Sequence, residues 1–199
     1  MAAVALLCAS LPGDSASPKT APRPDRKQDT AGSAAQARTR EDARWLRTDA
    51  DIPRRYRPLI IQAGTLCGLP EISPALVAGI LEAESGFDAA LSDPAKDEYG
   101  IARWTPRVLR YYLPPDRQHT VPRPPFSPED SIAALGRMLC AVAPDLEGVP
   151  GDPGLNLAAA YRTATWIVQQ QGPELRRVQP YLNRVRANVL RYSPSPDPA

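Results

Sequence analysis

The chain carries one histidine, His119, beside 22 acidic residues. One imidazole cannot build a multi-histidine metal site, and Ser/His/Asp or Cys/His chemistry would have to rest on His119 alone. Proton chemistry in this sequence therefore falls to carboxyl groups. One of them stands out by helical phase. With residues 74–84 placed at 100° intervals, Leu76, Val77, Ile80 and Leu81 form a single stripe, Glu84 lies near its middle and Glu82 on the opposite face. A carboxyl facing the core loses hydration, which disfavours its charged form, and the negative pole of a helix C-terminus acts in the same direction. A carboxylic acid that keeps its proton near neutral pH can serve as a general acid. The competing reading is a buried Glu paired with one of the many arginines.

The elements that must position Glu84 read as helices. Proline is abundant, at 24 of 199 residues, which argues against a large sheet and for helices separated by stiff loops. Hydrophobic residues make up 43%, enough for a core, and the near-neutral formal charge of +2 excludes a strongly basic nucleic-acid binder by composition. Ser73-Pro74 and Ser127-Pro128-Glu129-Asp130 are N-cap and first-turn signals. Helices are expected over 54–67, 74–84, 104–112, 128–142, 155–170 and 173–192, with loops at 88–103, 113–126 and 143–154. No run alternates with period two for long enough to predict a strand. The expected class is all-α with long loops, in one domain over 50–192. The segment 11–49 is rich in Pro, Ala and Arg and is expected to be a disordered linker, as is a tail over 193–199.

Residues 1–10 begin with the apolar run Met1 to Leu7 and resemble the second half of a secretory signal, without a basic n-region before it. Cys8 would be lost with such a leader or, less in keeping with Leu7 before it, would carry a lipid anchor. No other stretch is apolar enough to span a membrane. Cys67 and Cys140 remain. In an exported protein an even pair is most simply a disulfide, closing a loop of roughly 70 residues at about 4 kcal/mol on the chain-entropy model; in a cytosolic protein they would be buried thiols. Asp88, Asp93, Asp97 and Glu98 raise the idea of calcium, but their spacing fits no ordered ligand set.

Several segments, in order, carry a resemblance to a known family. Glu84-Ser85-Gly86-Phe87 at a helix end resembles the Glu-Ser-x-Phe signature of the soluble lytic transglycosylases, lysozyme-like enzymes that cleave peptidoglycan strands. Gly100-Ile101-Ala102-Arg103-Trp104-Thr105-Pro106 is similar to the segment that follows in that family, and Ala160-Tyr161-Arg162-Thr163-Ala164 to its later Ala-Tyr-Asn-Ala-Gly motif. Phe126-Ser127-Pro128-Glu129-Asp130-Ser131-Ile132 is similar to a helix start of actinobacterial members, and Tyr181-Leu182-Asn183-Arg184-Val185 to the closing segment. The resemblance covers about residues 50–192. Arg103 stands where the family has Gln, Arg162 where it has Asn, and the loop 93–99 is lengthened and charged.

The resemblance implies a lysozyme-like fold and cleavage of the MurNAc-GlcNAc β-1,4 bond. Glu84 would protonate the glycosidic oxygen and then deprotonate the C6 hydroxyl, giving a 1,6-anhydro end. The substrate's N-acetyl group would stabilise the cation, so neither a second carboxylate nor a metal or other cofactor is implied. Tyr161 would hold the Glu84 carboxyl. Ser85 and Tyr99 would contact substrate, Arg103 and Arg162 would bind a carboxylate or phosphate group of the wall polymer or equally would pair with Glu84 and hold it ionised, and Trp104 would be either a stacking surface for a sugar or part of the core. The expected partner is the peptidoglycan strand, met by a secreted or wall-associated monomer. Six arginines against Glu174 between Tyr161 and Tyr192 would add attraction to anionic wall polymers. The two arginine departures keep a second reading open, a non-catalytic glycan-binding descendant of the fold. A nucleic-acid-binding helical module is the third and weakest.

Overall fold

The computed structural model describes residues 42–194. A 3-10 turn, Arg54–Tyr56, leads into α1, Arg57–Gly64, and α2 follows as Pro74–Ser85. A hairpin comes next, β1 at Ser92–Asp93 and β2 at Glu98–Tyr99, and then α3 at Pro106–Tyr111 and α4 at Pro128–Val142. The chain closes with α5 (Pro153–Arg162), α6 (Thr165–Gln170), α7 (Pro173–Arg177) and α8 (Gln179–Tyr192). The described chain is thus predominantly helical, as the composition predicts. The cap signals act as expected. Ser73 and Ser127 each accept a hydrogen bond from the backbone N–H three residues on, at 3.1 Å in both, with proline next in the chain, and Asp152 caps a helix start two residues before the expected Leu155 in the same way, at 2.9 Å.

The core is organised around α2. It packs chiefly on α8 and also against α1 and α4, and every residue from Pro74 to Leu81 is buried. The apolar stripe read from the sequence is therefore only part of the buried surface, because this helix is enclosed on nearly all sides. Close approach between α1 and α4 depends on Gly136, where a Cβ would lie 2.7 Å from the Ala63 carbonyl oxygen. Cys67 and Cys140 are joined in a disulfide that ties the end of the α1 segment to α4.

Four expectations change. A strand pair forms where only a loop was expected: Ser92 faces Tyr99 and Asp93 faces Glu98 in an antiparallel hairpin turned by Pro94 to Asp97. The helix expected over 155–170 breaks at Thr163 and Ala164, where Thr163 donates its hydroxyl to the Ala159 carbonyl, which also accepts its N–H. The helix expected over 173–192 breaks at Val178, since Pro180 has no N–H to give the preceding turn. Finally, packed structure begins before residue 50. Leu46 is wholly buried, and Arg47 donates its N–H to the Tyr192 carbonyl at 2.9 Å. Expectations for 1–41 and 195–199 lie outside the described residues.

Replacing both Cys67 and Cys140 by Ser opens a loop of sequence separation 73 in the unfolded chain. The variant is expected to lose about 2–4 kcal/mol of unfolding free energy in urea titrations. An unchanged midpoint would show that the bond contributes nothing to the fold.

Candidate functional site

Glu84 occupies the last turn of α2. Gly86 closes the helix in the left-handed region at φ 63°, and Phe87 follows at φ 62° with its ring buried against Tyr192. The chain turns sharply away there and leaves the carboxyl at the end of a buried helix. The Glu84 side chain is 2% exposed. Three of the non-glycine residues with left-handed backbone, Phe87, Asp97 and Arg103, lie in the loops beside it. Each such conformation costs on the order of 1–3 kcal/mol and persists where surrounding structure enforces it.

Arg103 and Arg162 both reach the carboxyl. Arg162 Nη1 lies 3.5 Å from Glu84 Oε2, and Arg103 Nε lies 4.0 Å from the same atom. Both arginines have closer partners. Arg103 donates from Nε to Glu98 Oε2 at 2.8 Å and from Nη2 to Asp93 at 3.2 Å, with Nη2 also in ion-pair contact with Glu98 Oε2 at 2.7 Å. Arg162 donates to Glu98 Oε1 at 3.0 Å. Lys96 completes the set on Asp93 at 3.0 Å. Two guanidinium groups, Glu98 and Asp93 thus form a lattice over Glu84.

Burial pushes the Glu84 carboxyl above the usual carboxylate range. Arg162, then Tyr181, then Arg103 pull it down without reversing the direction, and Glu98 adds to the rise. Among the described residues Glu84 Oε1 has no hydrogen-bond partner, nor has the buried Tyr181 hydroxyl. The phenol nevertheless lies near enough to favour the charged form of the carboxyl. Burial also raises Tyr161 and Tyr181 well above an ordinary phenol, with the Glu84 charge adding to each.

The residues expected around Glu84 are brought close in part, and several do other work. Ser85 donates its hydroxyl to the Ile101 carbonyl at 2.6 Å, and the Tyr161 hydroxyl donates to the next carbonyl, Ala102, rather than to Glu84. These two bonds, one from α2 and one from α5, pin the turn that presents Arg103. Trp104 is buried, not a sugar platform. Its indole N–H donates to the Ser131 carbonyl at 3.0 Å, and its ring packs on Tyr112 and Tyr161 at 5.9 and 5.2 Å between centroids. Tyr99 sets its ring edge-on to Phe126, and its backbone pairs with Trp104.

Two neighbours of Glu84, Glu98 and Tyr181, are not predicted from the sequence to lie beside it. Glu98 was weighed only as a calcium ligand, although it stands five residues from Arg103 in a charged loop. Tyr181 belonged to a segment quoted for its resemblance but was given no role. Among the described residues no group of three His, Cys, Asp or Glu side chains could hold a metal ion, and no helix is long and apolar enough to cross a membrane. Two apolar cavities, of about 400 and 440 Å³, share Glu71 and Pro153 and are not lined by Glu84. Comparison with family models, with curated proteins and with solved structures returns no match.

The raised carboxyl makes a thermodynamic prediction. Glu84 binds its proton more tightly folded than unfolded, so between its unfolded and folded pKa values the folded state holds more protons. Stability contributed at this site is then lost as pH rises from about 4.5 through the folded value. Glu84→Gln is expected to raise the melting temperature near pH 7 and to leave it nearly unchanged near pH 4. A lower melting temperature for the variant at pH 7 would mean that the ion pairs outweigh burial.

Proposed function

We propose that the chain is a secreted peptidoglycan lytic transglycosylase of the soluble lytic transglycosylase type, with a lysozyme-like helical fold and Glu84 as its general acid and base. One observation carries this reading. A carboxyl at the end of a buried helix, with one oxygen unpaired, is held above its ordinary pKa even with two guanidinium groups beside it. A structural ion pair acts in the opposite direction, drawing the carboxyl down. The disulfide suits an oxidising compartment outside the cytoplasm, which is where peptidoglycan is met.

In this reading Glu84 gives its proton to the oxygen between MurNAc and GlcNAc as that bond breaks. The N-acetyl oxygen of the same MurNAc supports the developing cation. The Glu84 carboxylate then takes the proton of the MurNAc C6 hydroxyl as O6 bonds to C1, and the acid is regenerated. Arg162 and Arg103, with side chains 32% and 20% exposed, form the outer face of the site. They offer charge-assisted hydrogen bonds to carboxylate groups on the strand.

Incubation of purified sacculi with the protein is expected to release 1,6-anhydromuropeptides detectable by mass spectrometry. Glu84→Gln is expected to reduce the rate by about 10²-fold or more. Equal release by the variant would remove Glu84 from the mechanism. The burial of Glu84 beneath the lattice favours one other reading, a descendant that binds glycan without cutting it. Sacculus binding by the wild type with no soluble product is the outcome that would establish that reading.

A further inference from the structure

The lattice over Glu84 is asymmetric. Glu98 receives Arg103 on Oε2 at 2.7–2.8 Å and Arg162 on Oε1 at 3.0 Å, whereas Glu84 sees the same two cations at 4.0 and 3.5 Å on Oε2 alone. The Glu98 distances fall near the range of strong charge-assisted bonds, and the Glu84 distances do not. Glu98 is itself held in place. It lies on β2 directly opposite Asp93 on β1, and its side chain is 14% exposed. Asp93 takes the remaining bond from Arg103, at 3.2 Å. What is left to Glu84 is one long hydrogen bond from Arg162, at 3.5 Å, and an ion pair with Arg103 at the 4.0 Å limit.

We propose that Glu98 is a positioning residue: by engaging Arg103 with one carboxylate oxygen and Arg162 with the other, it draws both guanidinium groups toward itself and keeps their contacts with Glu84 long. The inference rests on the reading of Glu84 as a general acid, and it explains how that role coexists with arginine at two places where the resembled family has Gln and Asn. The groups that face Glu84 are few. Arg162 and Tyr161 come from α5, Arg103 from the turn after β2, Glu98 from β2 and Tyr181 from α8. Both phenols are pushed far above the working range by burial, so neither titrates with it. Burial acts first at Glu84, and the charges set against or beside it are the two arginines and Glu98. Without the Glu98 charge, Glu84 Oε2 becomes a near carboxylate oxygen for both of them.

The test is a carboxyl-carbon NMR titration of the full chain with labelled Glu, the Glu84 resonance being identified by its loss in Glu84→Gln. In Glu98→Gln the Glu84 midpoint is expected to fall by about one pH unit or more relative to wild type. Adding Arg103→Gln and Arg162→Asn to Glu98→Gln is expected to bring the midpoint back up. A midpoint that is unmoved or higher in Glu98→Gln overturns the proposal. Should Glu98→Gln fail to give the native circular dichroism spectrum, Glu98→Asp decides, because it keeps the charge but is too short to reach both cations. A lower midpoint in it supports the proposal, and an unmoved one overturns it. The readout does not depend on turnover. A chain that shows the shift but releases nothing from sacculi keeps the role of Glu98 and loses the enzymatic reading.

Discussion

Removing the Glu84 carboxyl from water costs its charged form more than two neighbouring guanidinium groups give back. An opposite charge within hydrogen-bond reach ordinarily holds a carboxylate ionised, and a fully buried carboxyl ordinarily holds its proton. Here both conditions meet at one group, and their relative size decides whether the site can act as an acid. Distance settles the contest. The arginines spend their short hydrogen bonds on Glu98 and Asp93 and reach Glu84 only at 3.5 and 4.0 Å. The Glu84 carboxyl therefore sits beside two cations that are each bound more closely to Glu98 than to it.

Much of the scaffold serves that placement. Enclosure of α2 by α8, α1 and α4 buries Pro74 to Leu81, Glu84 is the one residue of the last turn that is buried with them, and Gly86 lets the chain leave at once. The Ser85 and Tyr161 hydroxyls then fix consecutive carbonyls, Ile101 and Ala102, and this sets the turn from which Arg103 projects. The hairpin contributes the counter-charges, with Asp93 and Glu98 in register across its two short strands. Helix end, turn and hairpin are separate in sequence, and the disulfide between Cys67 and Cys140 braces the helices behind them.

The parts of this arrangement that were legible in the sequence are those encoded locally. Ser73-Pro74 and Ser127-Pro128 mark helix starts by cap chemistry that acts within four residues, and helical phase alone turned Glu84 inward. What was not legible depends on contacts between distant segments. The hairpin at 92–99 has strands of two residues, too short for an alternating pattern. Tyr161 carries a hydroxyl that could have met Glu84 or a backbone carbonyl, and only the path of residues 100–103 decides for Ala102. Trp104 reads from the sequence more readily as core than as a sugar platform, and the placing of Tyr112, Ser131 and Tyr161 around it decides for core. Glu98 lay in plain view as one acid in a charged loop, but its partner Arg162 is 64 residues away. The break at Val178 was legible in Pro180, whereas Leu46 alone gave little sign that the packed chain starts before residue 50.

The central claim is that burial outweighs the two guanidinium groups at Glu84. The most direct measurement is the titration midpoint of the Glu84 carboxyl carbon in the intact wild-type protein. The account predicts a midpoint above the ordinary value of 4.5 for a glutamate side chain. A midpoint at or below that value would show the carboxyl ionised in an ion pair throughout the working range, and would contradict the account.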